Sequence, residues 1–129
     1  MTTKSQAYDH AAYQVPVIYS GSTTAGANGV STKWAAFTSQ KLKSVSLAPN
    51  IVSTSASQPV LYHKSGTTTS TYTLSAITSA ATTAYNHALS TAASLTQGDQ
   101  FWVAHGTDAT LSLSVAVETY VTPGANLTA

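Results

Sequence analysis

Cysteine and arginine are both missing from this chain of 129 residues, and charge of either sign is scarce. Without cysteine there is no disulfide framework, no thiolate metal site and no cysteine nucleophile. Without arginine, and with five lysines against four acidic residues for a formal net charge of +1, there is no basic stripe of the kind that neutralises phosphates. That points away from nucleic acid as a partner. No run approaches the ~18 to 20 apolar residues of a membrane span, and the opening MTTKSQAYDHAAYQVPVIY carries no apolar core of a signal peptide. The expectation is a soluble chain made in the cytoplasm, with no membrane partner.

What the chain does contain is hydroxyl. Charged residues make up 7%, against roughly 25% in an ordinary soluble domain, while Ser and Thr together supply almost a third. Such a surface has little of the charge repulsion that keeps free proteins apart, which favours a surface largely covered by partners. The length suits one domain with a real core.

Short strand signals recur at the ~8 to 12 residue spacing of a sandwich or barrel. KWAAF, KLKSVSL, PVLYHK, TYTLSAI, TTAYNHAL, DQFWVAH and TLSLSVAVETYV are the candidates. In the last, Leu111, Leu113, Val115, Val117 and Val121 alternate with Ser112, Ser114, Ala116, Glu118 and Tyr120, the period of a strand with one buried face. Turn residues punctuate the series at Ser65-Gly66, Gly98-Asp99 and Gly106-Thr107-Asp108. Ile77, Ala81, Ala84, Ala88 and Ala92 also fit helical spacing, but Thr and Ser interruptions and the weak burial offered by Ala favour strand and loop there.

Upstream, YQVPVIY spans Tyr13 to Tyr19, and Pro16 removes a ladder donor, which sends the run to a sheet edge or an extended arm. Ser20 to Thr32 has no large side chain until Val30 and reads as a linker or long loop. The predicted organisation is therefore an N-terminal arm and linker over residues 1–32 and an antiparallel β-sandwich over 33–129.

Reactive residues do not converge. His10, His63, His87 and His105 show no metal-binding spacing, so surface or interface histidines are expected, with no metal and no cofactor. Asp9, Asp99, Asp108 and Glu118 are too scattered for a calcium site or a glycosidase pair. In LTQGDQFWVAHGTDATLSLSVAVETY, Asp99 and His105 stand roughly 20 Å apart on a strand and cannot touch, and Asp108 sits in a turn where it accepts backbone N–H bonds. No nucleophile elbow or phosphate-cradling loop is present. Together these absences point to a binding or structural role and not to an enzyme. Phe101, Val103 and His105 should share one face of their strand and Trp102 and Ala104 the other. Trp102, in a strand this apolar, reads as core, although exposure would make it a binding platform. Tyr13 and Tyr19 flank the arm, where contact with another chain is the better use for them.

KLKSVSLA, then PVLYHKSGTTTSTYTLSAI, then SLTQGDQFWVAHGTDATLSLSVAVETYV, covering about residues 41 to 121, resembles small β-sandwich structural proteins of tailed bacteriophages, including head decoration or cement proteins. Residues 1–40 have no counterpart in that pattern. The resemblance implies a jelly-roll-like sandwich with an extended arm, grouped as a homotrimer on the capsid exterior and clamping neighbouring subunits of the major capsid protein. In that setting Tyr13, Val15, Val17 and Tyr19 lie along a neighbour with Trp34 near the junction. A receptor-binding or glycan-binding fibre module and a tail-tube or baseplate component are the alternatives.

Overall fold

The computed structural model describes residues 15–50, 55–77, 83–89, 93–108 and 111–121. Among these residues the chain is all-β: β1 (Val15–Ser22), β2 (Trp34–Ala35), β3 (Gln40–Pro49), β4 (Val60–Ser65), β5 (Thr68–Thr73), β6 (Tyr85–Ala88), β7 (Ser94–Leu95), β8 (Gln100–Ala104) and β9 (Leu113–Val121). One sheet has the order β1-β9-β3-β6, with β7 also on β3; the other has the order β2-β8-β4-β5. Every pairing is antiparallel.

The period-two pattern of β9 does what it predicts: Leu113, Val115, Val117 and Thr119 are buried while Ser114, Ala116, Glu118 and Tyr120 face outward, half-buried. Its neighbour β3 carries an extra residue between Leu42 and Ser44. That bulge resets the alternation, so Leu42 and then Val45 and Leu47 all point inward. β4 and β5 form a hairpin closed by Gly66 and Thr67, with Ser65 opposite Thr68. Gly66 takes φ +62° at the first central position, where this kind of two-residue turn requires glycine.

The core lies between the sheets. Leu42, Val45, Leu47, Val115 and Val117 from the first meet Leu61, Phe101 and Val103 from the second. Phe101 is completely buried, with Tyr19 edge-on at 4.8 Å and Trp34 tilted against it at 5.6 Å. Burying a side chain of this size stabilises the fold by about 2 to 3 kcal/mol.

The described part of the predicted arm is a strand of the first sheet. Val15–Ser22 pairs with β9 along its whole length, from Val15 opposite Val121 to Ser22 opposite Ser114. Pro16 is accommodated because β1 is terminal in its sheet. The following loop is also tied down and is no free linker. Thr23 exchanges bonds with Leu113, its N–H donating to Leu113 O at 2.8 Å and its hydroxyl accepting from Leu113 N–H at 2.9 Å. Ser31 does the same with Val103. These hydroxyl-to-backbone bonds satisfy groups that a small-residue loop otherwise leaves unpaired.

One smaller difference concerns a boundary. β5 begins at Thr68, ahead of the expected start at Thr71, because the tight turn brings Thr68 directly opposite Ser65. The segment with helical spacing forms strand β6 over Tyr85–Ala88, paired with Ser44–Leu47, while Ala81 and Ala92 lie outside the described residues. The Tyr85 hydroxyl donates to the Ser75 carbonyl, and burial pushes its pKa up to about 12.

Candidate functional site

Two surfaces present side chains that a partner could use. The first is the outer edge of β1. β9 covers one side of this strand, and no described strand covers the other. Alternation turns Val15, Val17 and Tyr19 to the core side, with Val17 and Tyr19 half-buried and Val15, the first residue of the strand, still 49% exposed, and it turns Ile18 outward at 63% exposure. Of the predicted contact residues, Val15 is therefore open to a partner and Val17 is partly so. Tyr19 and Trp34 turn inward onto Phe101, and the Tyr19 hydroxyl donates to Gln40 Oε1 at 2.7 Å. Tyr13 lies outside the described residues. Ile18 was missed, although the period of two in YQVPVIY already sets it opposite Val17 and Tyr19. Beside this edge, the outer face of the first sheet forms a shallow groove of about 430 Å³ lined by small residues, among them Ser20, Gly21, Ser46, Ala48 and Ala116.

The second surface is the outer face of the second sheet. Trp102 is half-buried there and does not belong to the core; Phe101, Val103 and His105 take the buried side of the strand, as the alternation predicts. Tyr62, opposite Trp102 on β4, stacks on its ring at 5.4 Å with 9° between planes. Lys33 Nζ lies over the ring at 4.7 Å. Because β8 runs between β2 and β4, the lysine just before β2 and the tyrosine on β4 sit on opposite faces of the indole. Trp102 offers an incoming group its ring edge, since both faces are engaged within the chain. Neither Lys33 nor Tyr62 was foreseeable as its neighbour, because the register joining them spans distant strands.

Several ionisable groups are held in hydrogen-bond networks. His63 and His105 are buried at 8% and 0% exposure, contrary to the expectation of surface histidines. His63 Nε2 contacts Asp99 Oδ2 at 2.8 Å, and the Thr96 N–H donates to the same oxygen at 3.0 Å. Burial alone would raise the Asp99 pKa, but the hydrogen bonds from His63, Thr96 and Ser65 outweigh it and hold the carboxyl below its ordinary value. Asp108 accepts from Leu111 N–H at 3.2 Å, the expected turn role, and also from Ser55 N–H at 2.9 Å across the domain. Asp99 and His105 serve separate networks, since His105 Nε2 instead accepts from Gly29 N–H. His87 shares a hydrogen bond with Ser75 at an exposed position. Among the described residues no three metal-ligating side chains gather. No helix among the described residues is long and apolar enough to cross a membrane.

No family model matches the chain, and no curated protein matches it significantly.

Proposed function

We propose that this protein is a structural virion component that binds the outside of a tailed-phage capsid as a decoration or cement protein, adding contact area across neighbouring major capsid subunits. The observation that carries this reading is the outer edge of β1, which no described strand covers and which leaves Val15 and Ile18 exposed. An extended segment of a neighbour can add to such an edge through main-chain hydrogen bonds, with apolar side chains supplying the specificity. The low-charge, hydroxyl-rich surface suits a protein that works while covered, and cementing needs no reaction chemistry, only binding free energy that shell expansion must overcome. Trimeric grouping on the shell belongs to the same proposal.

The second reading, a glycan-binding fibre module, draws on the Trp102, Tyr62 and Lys33 stack. It is the weaker of the two because sugars stack on aromatic faces, and both faces of Trp102 are occupied. Binding to undecorated phage heads, seen by electron microscopy, separates the readings: decoration predicts regular density on the shell that Ile18→Lys removes and Trp102→Ala leaves in place. The reverse pattern, or binding to glycans alone, contradicts it.

A further inference from the structure

The loop between β1 and β2 holds Asn28-Gly29, the only Asn-Gly pair in the sequence; Asn50, Asn86 and Asn126 are followed by Ile51, His87 and Leu127. Asn28 is exposed and left-handed at φ +56°, whereas Gly29 is buried. A β-carbon at Gly29 would lie 2.0 Å from the Thr24 carbonyl oxygen and 2.9 Å from His105 Nε2, so only glycine fits. The Gly29 N–H is shared between the Gly26 carbonyl and His105 Nε2, each at 3.2 Å. Since Nε2 accepts, the neutral ring carries its proton on Nδ1, and that buried atom has no hydrogen-bond partner. An unpaired donor on a fully buried ring does not serve stability. What this orientation does provide is a basic nitrogen aimed at one backbone N–H, at the distance general-base chemistry needs.

We propose that Asn28-Gly29 is a self-modification site, with His105 as the base that drives Asn28 to a cyclic succinimide and then to aspartate or isoaspartate. His105 Nε2 takes the Gly29 amide proton, and the electron pair left on nitrogen forms a bond to Asn28 Cγ while the carbonyl electrons move onto Oδ1. When those electrons return, the Cγ–Nδ2 bond breaks, and the leaving nitrogen takes the proton from His105 and departs as ammonia. Solvent water then adds to either ring carbonyl and opens the succinimide. Nothing is oxidised or reduced, and the imidazole is regenerated. The exposed Asn28 side chain gives ammonia a way out and water a way in. The new carboxylate cancels the formal net charge of +1. Isoaspartate also lengthens the backbone where Asn28 N–H donates to Gly106 O at 2.7 Å. The loop joining the two sheets thus carries a one-way chemical timer.

The test follows Asn28 in the purified full-length protein by peptide mass spectrometry over days, with the other three asparagines as internal controls. Ammonia loss followed by conversion to aspartate and isoaspartate is expected at Asn28 ahead of the others. The loop facing His105, Ser20 to Thr32, contains no ionisable residue. Asp108, the nearest ionisable residue along the chain, is engaged by Ser55 and Leu111 N–H. Folded wild type should therefore convert faster than the same chain unfolded in urea, where His105 no longer faces the Gly29 N–H. His105→Gln keeps an acceptor for Gly29 N–H but no basic nitrogen, and should slow conversion by roughly 10²-fold or more. An intact Asn28, conversion no faster in the folded protein than in the unfolded chain, or equal or faster conversion in the folded Gln variant overturns the proposal, because His105 would then only restrain the loop. The comparison of folded with unfolded wild type decides the matter even where the variant does not fold.

Discussion

His63 and Asp99, 36 positions apart in sequence, close one buried network that ties β4 to the turn leading into β8. His63→Ala strands a buried carboxylate, and we expect a loss of about 3 kcal/mol, read as a lower midpoint in urea unfolding. The pH dependence follows from Asp99. Its folded pKa lies below the unfolded value of ~3.9, so its contribution is fully present above that pH and is lost as pH falls through the folded value. Thermal scans from pH ~5 to ~2 should show a steeper acid loss in wild type than in Asp99→Asn, whose baseline stability is already lower. Equal slopes would remove Asp99 from the acid response. Gly106 is a further point of strain: at φ +101°, an added β-carbon would lie 2.6 Å from Ser57 Oγ and 2.8 Å from Gln58 N. Gly106→Ala should therefore destabilise by more than about 1 kcal/mol in the same unfolding assay.

Strand β1 shows how much of an element can be read from its sequence. Pro16 limited the run to an edge or an arm, and the choice between them depended on β9, about a hundred residues away in the chain, whose pairing leaves no local mark. For the same reason Tyr19 and Trp34 could not be recognised as inward: their common neighbour Phe101 is brought to them only by the sheet packing. By contrast, β9 and the Gly66 turn were legible, because alternation and a positive φ are local properties. The hydroxyl-rich loop misled in the same way as the arm, since Thr23 and Ser31 disclose their value only once Leu113 and Val103 lie beside them. A truncation tests the revised assignment. Deleting residues 1–22 should unpair β9, uncover Phe101 and abolish cooperative unfolding, as followed by circular dichroism. Phe101→Ala alone should cost about 3 to 5 kcal/mol.

Across the whole molecule, packing and hydroxyl hydrogen bonds carry the fold, with little help from charge. Among the described residues the one exposed ion pair is Lys43–Glu118 at 3.4 Å, a contact of small worth that salt screens. The midpoint of thermal unfolding should accordingly change little as salt is raised from ~0.05 to ~1 M, apart from effects common to all burial. Attachment through an apolar sheet edge should be similarly insensitive to salt, unlike docking by charge complementarity. Ile18→Lys, on the exposed side of β1, should leave stability within about 0.5 kcal/mol, so any loss of binding reports the surface and not the fold. The most direct measurement is therefore electron microscopy of phage heads assembled without this protein and then mixed with it, as wild type and as Ile18→Lys. The proposed role predicts density at regular lattice positions with wild type and bare shells with the variant; bare shells with wild type, or equal decoration with both, would contradict it.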